Sequence, residues 1–254
     1  MNDEARRREL AERLGAVRSR IERAAREAGR DDEPRLIVVT KFFPAADVGH
    51  LAALGVTDVG ENRDQEAAAK ALECDGLGLD WHFIGQLQSN KAKSVVRYAH
   101  AVHSVDRTGL VDALSRAMAR EAGRRAEAGL GARGDLTALV QVDLRDADDA
   151  GAREGSPGPG RGGALPSEVP ALADAIAAAD GLRLGGLMAV APLGGDPRPA
   201  FERLRVLAAE LTAVHPGADM VSAGMSQDLE HAVAAGATHL RVGSDVLGPR
   251  PPVR

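Results

Sequence analysis

Lys41 is the residue whose type and position first indicate chemistry. It ends the run RLIVVTK, residues 35–41, which follows a proline and has the β-branched composition of a buried strand. An amine at the end of such a strand lies at the mouth of a parallel sheet, where burial lowers its pKa. The resulting neutral amine attacks aldehydes to form a Schiff base. The alternative is a lysine whose stem packs on the rim while its ammonium group stays in water.

Small residues stand at two other turns and predict a site for phosphate. One turn joins a predicted strand to the next helix, and the other follows the last predicted strand. Backbone amides at such turns bind anions, and barrels often bind phosphate in the loops after strands seven and eight. Ser226 has an alternative role as a helix cap. The residues at these turns are Ser222, Gly224, Ser226, Gly243 and Ser244.

Arg241 lies inside the last predicted strand, where we expect it to face the interior of the fold. A buried arginine is rare unless it is paired. Two interpretations stay open: an ion pair with a carboxylate such as Glu61, or donation to a ring nitrogen or a phosphate. His82 is a weaker candidate for orienting a ligand. His103 and Asp106 suggest proton transfer or, equally, a strand end followed by a helix cap.

The elements that must position these residues alternate along the chain. A helix over 3–29 places Leu10, Leu14, Val17 and Ile21 on one face. Eight apolar runs follow, with helical patterns between them. The predicted strands are 35–41, 56–60, 81–85, 101–105, 136–142, 184–190, 219–223 and 239–242. The predicted helices are 45–55, 62–73, 88–98, 107–127, 167–180, 197–213 and 227–235.

This alternation predicts an α/β fold, a single (β/α)8 TIM-type barrel with an extra N-terminal helix. An open doubly wound sheet is the alternative, but no glycine fingerprint follows the first strand. Residues 151–163, GAREGSPGPGRGG, interrupt the pattern and are expected to form a flexible Gly/Pro-rich loop insert. Because βα units continue on both sides of the insert, residues 1–254 are expected to form one domain.

The composition argues against several classes of protein. A net charge of -5 and an aromatic content of 2% disfavour nucleic-acid binding, which needs a basic face and often stacking rings. No apolar run approaches the ~20 residues that span a bilayer, and the charged N-terminus does not resemble a secretory signal. With Cys74 as the single cysteine, a disulfide framework is impossible. We therefore expect a cytoplasmic protein with no nucleic-acid or membrane partner and no metal motif.

Six motifs occur together and in order. They are VVTKFFP, VGENRDQE, WHFIGQLQSNKAK, HSVD, GLMAVAP and SAGMSQDLEHAVAAGATHLRVGSDVLG. In these motifs the chain resembles the pyridoxal-phosphate homeostasis protein family, whose members look like the barrel domain of alanine racemase, its N-terminal domain, standing alone. The resemblance extends from the leading helix to about Arg250 and implies the same barrel.

The resemblance implies that pyridoxal 5′-phosphate (PLP) is the cofactor, held as a Schiff base on Lys41. It also implies that Arg241 faces the pyridine nitrogen and that Asn62 and Met225 line the pocket. An arginine in that place keeps its proton, so the ring is a weaker electron sink. The residues implied to hold the phosphate are Ser222, Gly224, Gly243 and Ser244.

Three positions depart from the pattern of the family. Gln86 stands where a proline is expected, and Ala223 replaces a larger residue in the phosphate turn. Asp245 follows Ser244 where a small apolar residue is usual. A carboxylate beside a phosphate is unfavourable unless it points away.

The expected function is to carry or buffer PLP without catalysis, as a monomer that meets PLP-dependent apoenzymes transiently. A weak PLP-dependent amino-acid racemase is the alternative. The one tyrosine, Tyr98, is predicted on a helix away from the site, and racemization needs an opposing base. A Schiff-base aldolase without PLP is a third hypothesis, which is disfavoured because an aldolase lysine usually lies on a later strand.

Overall fold

The computed structural model describes residues 3–145, 162–192 and 194–250. Within those ranges, eight parallel strands pair in chain order and close into a barrel, with the first strand next to the eighth. This confirms the predicted fold class. The strands are β1 Arg35–Val39, β2 Asp58–Glu61, β3 Asp80–Phe83, β4 Ala99–Val105, β5 Leu136–Val142, β6 Leu182–Ala189, β7 Met220–Ser222 and β8 His239–Val242.

Helices surround the barrel and connect its strands. They are α1 Asp3–Glu27, α2 Ala45–Ala53, α3 Asp64–Glu73, α4 Ala92–Val95, α5 Thr108–Glu127, α6 Val169–Ala177, α7 Arg198–Val214, α8 Leu229–Ala234 and α9 Ser244–Leu247. Short 3-10 turns over Ser89–Lys91 and Pro166–Glu168 precede α4 and α6.

Two of the predicted boundaries are wrong in ways that affect the site. The helix predicted over 88–98 is a 3-10 turn followed by the single turn of α4. β1 ends at Val39, so Lys41 lies in the turn beyond the strand rather than at its last position. The pairing of β1 with β2 ends at Val39 and Gly60. The Gly60 carbonyl accepts one further hydrogen bond, from the amide of Thr40, and the chain turns after Thr40.

α1 packs on the barrel through the apolar face that its periodicity predicts. Leu10, Leu14, Val17 and Ile21 are all at most 3% exposed. The helix contacts α8 and α9, which follow the last two strands. Burial of this apolar face therefore stabilises the contacts of α1 with α8 and α9.

The predicted insert over 151–163 lies mostly outside the described residues. Its last two residues are described: the Gly162 carbonyl accepts a hydrogen bond from Gln141, and Gly163 precedes an isolated bridge between Ala164 and Val142. In the described ranges, no helix combines the length and apolarity required to cross a membrane.

Candidate functional site

A cavity of 390 Å³ opens at the carboxyl ends of the strands. This is the end of a parallel barrel where loops assemble ligand sites, and the volume lies in the range of small-molecule pockets. The turns after β1, β6, β7 and β8 all contribute to it. Its lining includes Lys41, Phe42, Ile84, Met225, Ser226, Arg241, Gly243, Ser244 and Arg250.

Lys41 lies half-buried in this cavity. Burial and the nearby Arg250 guanidinium lower the pKa of its amine, while the Glu61 carboxylate opposes the shift. A lowered pKa increases the neutral, nucleophilic fraction of the amine near pH 7. The site therefore activates Lys41 toward an electrophilic carbon such as an aldehyde.

Phe42 adopts a left-handed conformation, with φ at 73°. This conformation is costly for an aromatic residue and is seen where function constrains the backbone. Its ring attracts cations: the Arg250 and Arg63 guanidinium carbons lie 4.8 and 5.5 Å from the ring centroid. The turn at Phe42 therefore brings Arg250 beside Lys41.

A buried ion pair fixes the chain just before Lys41. Lys70 Nζ donates to Glu61 Oε1 at 2.7 Å and to the carbonyl of Thr40 at 2.9 Å. The Thr40 hydroxyl donates to the same carboxylate oxygen at 2.6 Å. Sequence reasoning did not single out Lys70, and its position nine residues after Glu61 gave no signal of the contact.

Arg241 is 4% exposed and borders the cavity. Its guanidinium donates to Ser222 Oγ at 2.7 Å and to the carbonyl of Ala189 at 2.8 Å. Burial lowers its pKa to about 10, against the opposing charge of Asp228, so it stays charged near pH 7. Glu61 pairs with Lys70, so the alternative of an Arg241–Glu61 ion pair is wrong.

The two turns predicted to hold a phosphate differ in what faces the cavity. Ser226 and Ser244 both line it, with their hydroxyl oxygens 3.3 Å apart, and Gly243 lies beside Ser244. The N-cap of α8 is Asp228, so the helix-cap alternative for Ser226 is wrong. Ser226 lines the cavity although the family resemblance does not include it among the phosphate residues; its place in the turn was the signal for it.

Ser222 and Gly224 lie behind this surface, outside the cavity lining that the described residues form. The Ser222 side chain is fully buried and bonds Arg241 and His103. Gly224 has φ at 86°, and a Cβ there would lie 2.7 Å from the Cβ of Ala232. Close packing on α8, rather than approach to a ligand, therefore requires this glycine.

Asn62 lies in the turn after β2, with its Oδ1 buried and without a hydrogen-bond partner in the described structure. It does not line the cavity; Ile84 does, and the next residue, Gly85, packs against the Asn62 backbone. A Cβ on Gly85 would lie 2.8 Å from Asn62 Cα. The glycine therefore lets the Asn62 turn approach β3 closely.

The histidines proposed as polar candidates lie beneath the cavity. His82 and His103 are 2% and 0% exposed and bond each other at 2.9 Å. Asp106 pairs with Arg107 and not with His103. The structure therefore does not bring His103 and Asp106 together for proton transfer. In the ranges that the structure describes, no group of three His, Cys, Asp or Glu side chains could hold a metal ion.

The three departures from the family pattern leave the cavity free of added charge. Asp245 points away from it and accepts a hydrogen bond from Arg20 on α1 at 3.0 Å. Ala223 is 1% exposed and belongs to the core. Gln86 lines a separate cavity of 220 Å³ together with Gln141.

Known proteins resemble this chain along nearly its whole length. The family model of the alanine racemase N-terminal domain matches residues 13–251. The pyridoxal phosphate homeostasis protein of Mycobacterium bovis is 43% identical over 259 aligned positions, covering 95% of this chain and 93% of the relative. The one from Escherichia coli (strain K12) is 32% identical, covering 95% and 97%.

A solved structure is also similar to this chain along nearly its whole length. PipY of Synechococcus elongatus, with PLP bound, superposes with a TM-score of 0.73 at 33% identity, covering 94% of this chain and 100% of PipY. The chain therefore belongs to the alanine racemase N-terminal domain family and, within it, to the pyridoxal phosphate homeostasis proteins.

Proposed function

We propose that this protein binds PLP on Lys41 and carries or buffers it in the cell. The observation that carries the proposal is the placement of Lys41, with its lowered pKa, in a cavity that also contains a buried arginine and two hydroxyls. PipY, a relative of the same fold, has PLP bound.

The residues of the cavity fit this cofactor. The amine of Lys41 would take the aldehyde, while Ser226, Gly243 and Ser244 would hold the phosphate. Arg241 would donate to the pyridine nitrogen. Ser222 and Gly224 support the phosphate and ring sites from behind rather than by contact.

Asn62 and Met225 complete the proposed site. Met225 lines the cavity. The orphaned Oδ1 of Asn62 is a buried acceptor, which is costly unless a ligand donates to it. This unsatisfied buried atom is itself a sign that a polar ligand approaches Asn62.

The chemistry of the site favours carriage over catalysis. Bound PLP supplies an aldehyde for attachment and a ring that withdraws electrons. Arg241 keeps its proton at neutral pH, because its pKa of about 10 is well above 7, so it gives the ring little help as an electron sink. Tyr98 lines a different surface groove with Cys74 and Leu130, and its hydroxyl donates to Asp64 at 3.4 Å.

Binding is tested by incubating the protein with PLP, removing the excess and recording the absorption spectrum. Borohydride reduction followed by peptide mass spectrometry should place the label on Lys41. The Lys41→Ala variant should lose the label. Lys91→Ala is the matched control, because Lys91 is exposed and lies outside the cavity. Equal labelling of wild type and Lys41→Ala would refute the proposed attachment.

Catalysis is tested on the loaded protein with a panel of L- and D-amino acids in deuterium oxide. A carrier leaves the α-proton in place over many hours. Steady exchange that depends on Lys41 would instead make this protein a weak PLP-dependent racemase or a related enzyme.

We also propose that the protein acts as a monomer and passes PLP to apoenzymes. Residues of a single chain surround the cavity in the described ranges, and its mouth opens to solvent. Analytical ultracentrifugation tests the first point. For the second, an apoenzyme should be activated by the loaded protein faster than by PLP that dissociates on its own.

A further inference from the structure

A row of polar side chains crosses the interior of the barrel beneath the cavity. The side chains come from five different strands, β2, β3, β4, β7 and β8. All five residues are at most 4% exposed, which is unusual for polar groups unless each has a partner. They are Asp58, His82, His103, Ser222 and Arg241.

Each member of this row bonds the next. Asp58 Oδ1 lies 3.0 Å from His82 Nε2, and His82 Nδ1 lies 2.9 Å from His103 Nε2. His103 Nδ1 lies 2.9 Å from Ser222 Oγ. Arg241 donates to the same hydroxyl at 2.7 Å. The four contacts therefore connect a carboxylate to a guanidinium through two imidazoles and a hydroxyl.

If each histidine ring carries a single proton, the two ends of the row set the direction of every hydrogen bond. An ionised carboxylate only accepts, so His82 donates to Asp58 from Nε2 and accepts at Nδ1. His103 then donates from Nε2 and accepts at Nδ1 from the Ser222 hydroxyl. Ser222 in turn accepts from Arg241, which has donors alone. We therefore expect both rings to carry that proton on Nε2.

The burial of these groups agrees with this assignment. The pKa of Asp58 lies at about 2: burial opposes ionisation, but hydrogen bonds from His82 and Thr57 outweigh it. Burial lowers the pKa of His103 well below its ordinary value, and the Arg241 charge acts in the same direction.

We infer that Asp58, His82, His103 and Ser222 are positioning residues that act as one directed hydrogen-bond chain to hold Arg241 at the base of the PLP site. The inference rests on the proposed function, because it assigns Arg241 to the ring of PLP. Arg241 has no carboxylate within ion-pair distance in the described part of the chain. The chain therefore supplies the acceptor that keeps the guanidinium in one orientation, with its other N–H groups left for a ligand.

The tautomers are tested first, on the wild-type protein without ligand. Nitrogen-15 NMR of labelled histidine distinguishes Nδ1–H, Nε2–H and doubly protonated rings. His82 and His103 should both be Nε2–H at pH 7. A proton on Nδ1 of either ring, or on both nitrogens, would reverse the direction of a hydrogen bond in the row and overturn the inference. This measurement needs no variant and does not depend on PLP.

The effect on the site is tested with two buried serines. Ser222→Ala removes the hydroxyl that accepts from Arg241. Ser104→Ala is the matched control: Ser104 is 1% exposed, follows His103 on β4, and its hydroxyl has no partner in the described structure. Arg241→Met removes the guanidinium altogether and shows the values expected when nothing donates to the ring nitrogen.

The readouts are the rate of PLP dissociation and the nitrogen-15 shift of ring-labelled PLP. Ser222→Ala should release PLP about tenfold faster, since one hydrogen bond to a charged group is lost. Its ring shift should move toward the Arg241→Met value, and Ser104→Ala should match wild type. Equal rates and shifts in the two serine variants would refute the inference. Failure of wild type to attach PLP at Lys41 would refute the proposed function instead.

Discussion

Lys70 Nζ lies 2.7 Å from Glu61 Oε1, and this buried ion pair holds the turn that presents Lys41. Glu61 is 1% exposed, so it depends on Lys70 to offset the loss of water. Removing one partner of such a pair leaves an uncompensated buried charge. The pair therefore couples the stability of β2 to the geometry of the site.

Lys70→Met should lower the free energy of unfolding by about 3–5 kcal/mol, because Glu61 would stay buried without its cation. The measurement is urea denaturation. The control is Arg205→Met, which breaks an ion pair with Glu202 in which both side chains are more than half exposed. That loss should stay below about 1 kcal/mol. Similar losses in both variants would show that Glu61 does not depend on Lys70.

Arg250→Met should slow the reaction of Lys41 with aldehydes at pH 7 by a few-fold. The Arg250 charge helps lower the pKa of Lys41, so its removal raises that pKa and reduces the neutral fraction. The rate is measured with pyridoxal, which carries no phosphate and so does not report on phosphate binding. Arg63→Met is the control, because Arg63 also contacts Phe42 but does not shift Lys41. Equal slowing in both variants would contradict the electrostatic account.

His239 should make the protein less stable as the pH falls from 6.5 to about 4. Burial, with the charge of Arg35, lowers the pKa of this imidazole from 6.5 to about 4, whereas the unfolded chain binds the proton at 6.5. The unfolded state therefore gains the proton first, and stability declines through this window by about 3 kcal/mol in total.

His239→Gln cannot take up this proton, so its stability should fall less over the same window. Unfolding free energies at several pH values between 4 and 7 test the expectation. The exposed His231 provides the control substitution His231→Gln, which should keep the wild-type slope. A slope for His239→Gln that equals wild type would show that His239 does not titrate as described.

Gly224→Ala should destabilise the fold more than Gly236→Ala. Both glycines have similar left-handed conformations, with φ at 86° and 88°. A Cβ at Gly224 would lie 2.7 Å from Ala232 and 2.9 Å from Leu240, whereas a Cβ at Gly236 meets nothing within 4 Å. The conformational cost of about 1–2 kcal/mol is shared, and overpacking adds about 1–3 kcal/mol at Gly224 alone. Equal urea unfolding midpoints for the two variants would show that close packing at Gly224 does not add to the cost.

The sequence predicted the barrel because its strongest signals are local. Eight apolar runs separated by helical patterns are typical of alternating parallel strands, and the stripe from Leu10 to Ile21 predicted the leading helix. Lys41 and the turns at Gly243 and Ser244 could be placed at one end, since parallel strands bring their carboxyl ends together. Strand-end position could not show that β1 stops at Val39, two residues before Lys41.

Contacts between distant strands were decided by the tertiary structure alone. Nothing in the spacing of Glu61 and Lys70 predicts their pairing, and nothing in the sequence places Asp58, His82 and His103 in one row with Ser222 and Arg241. Such contacts depend on the register and curvature of a closed sheet, which set which inward side chains meet. The amino-acid sequence by itself determined the fold and the end of the barrel at which Lys41 lies. The closure of the barrel decided which buried groups meet Arg241, because only closure brings β2 and β3 across from β7 and β8.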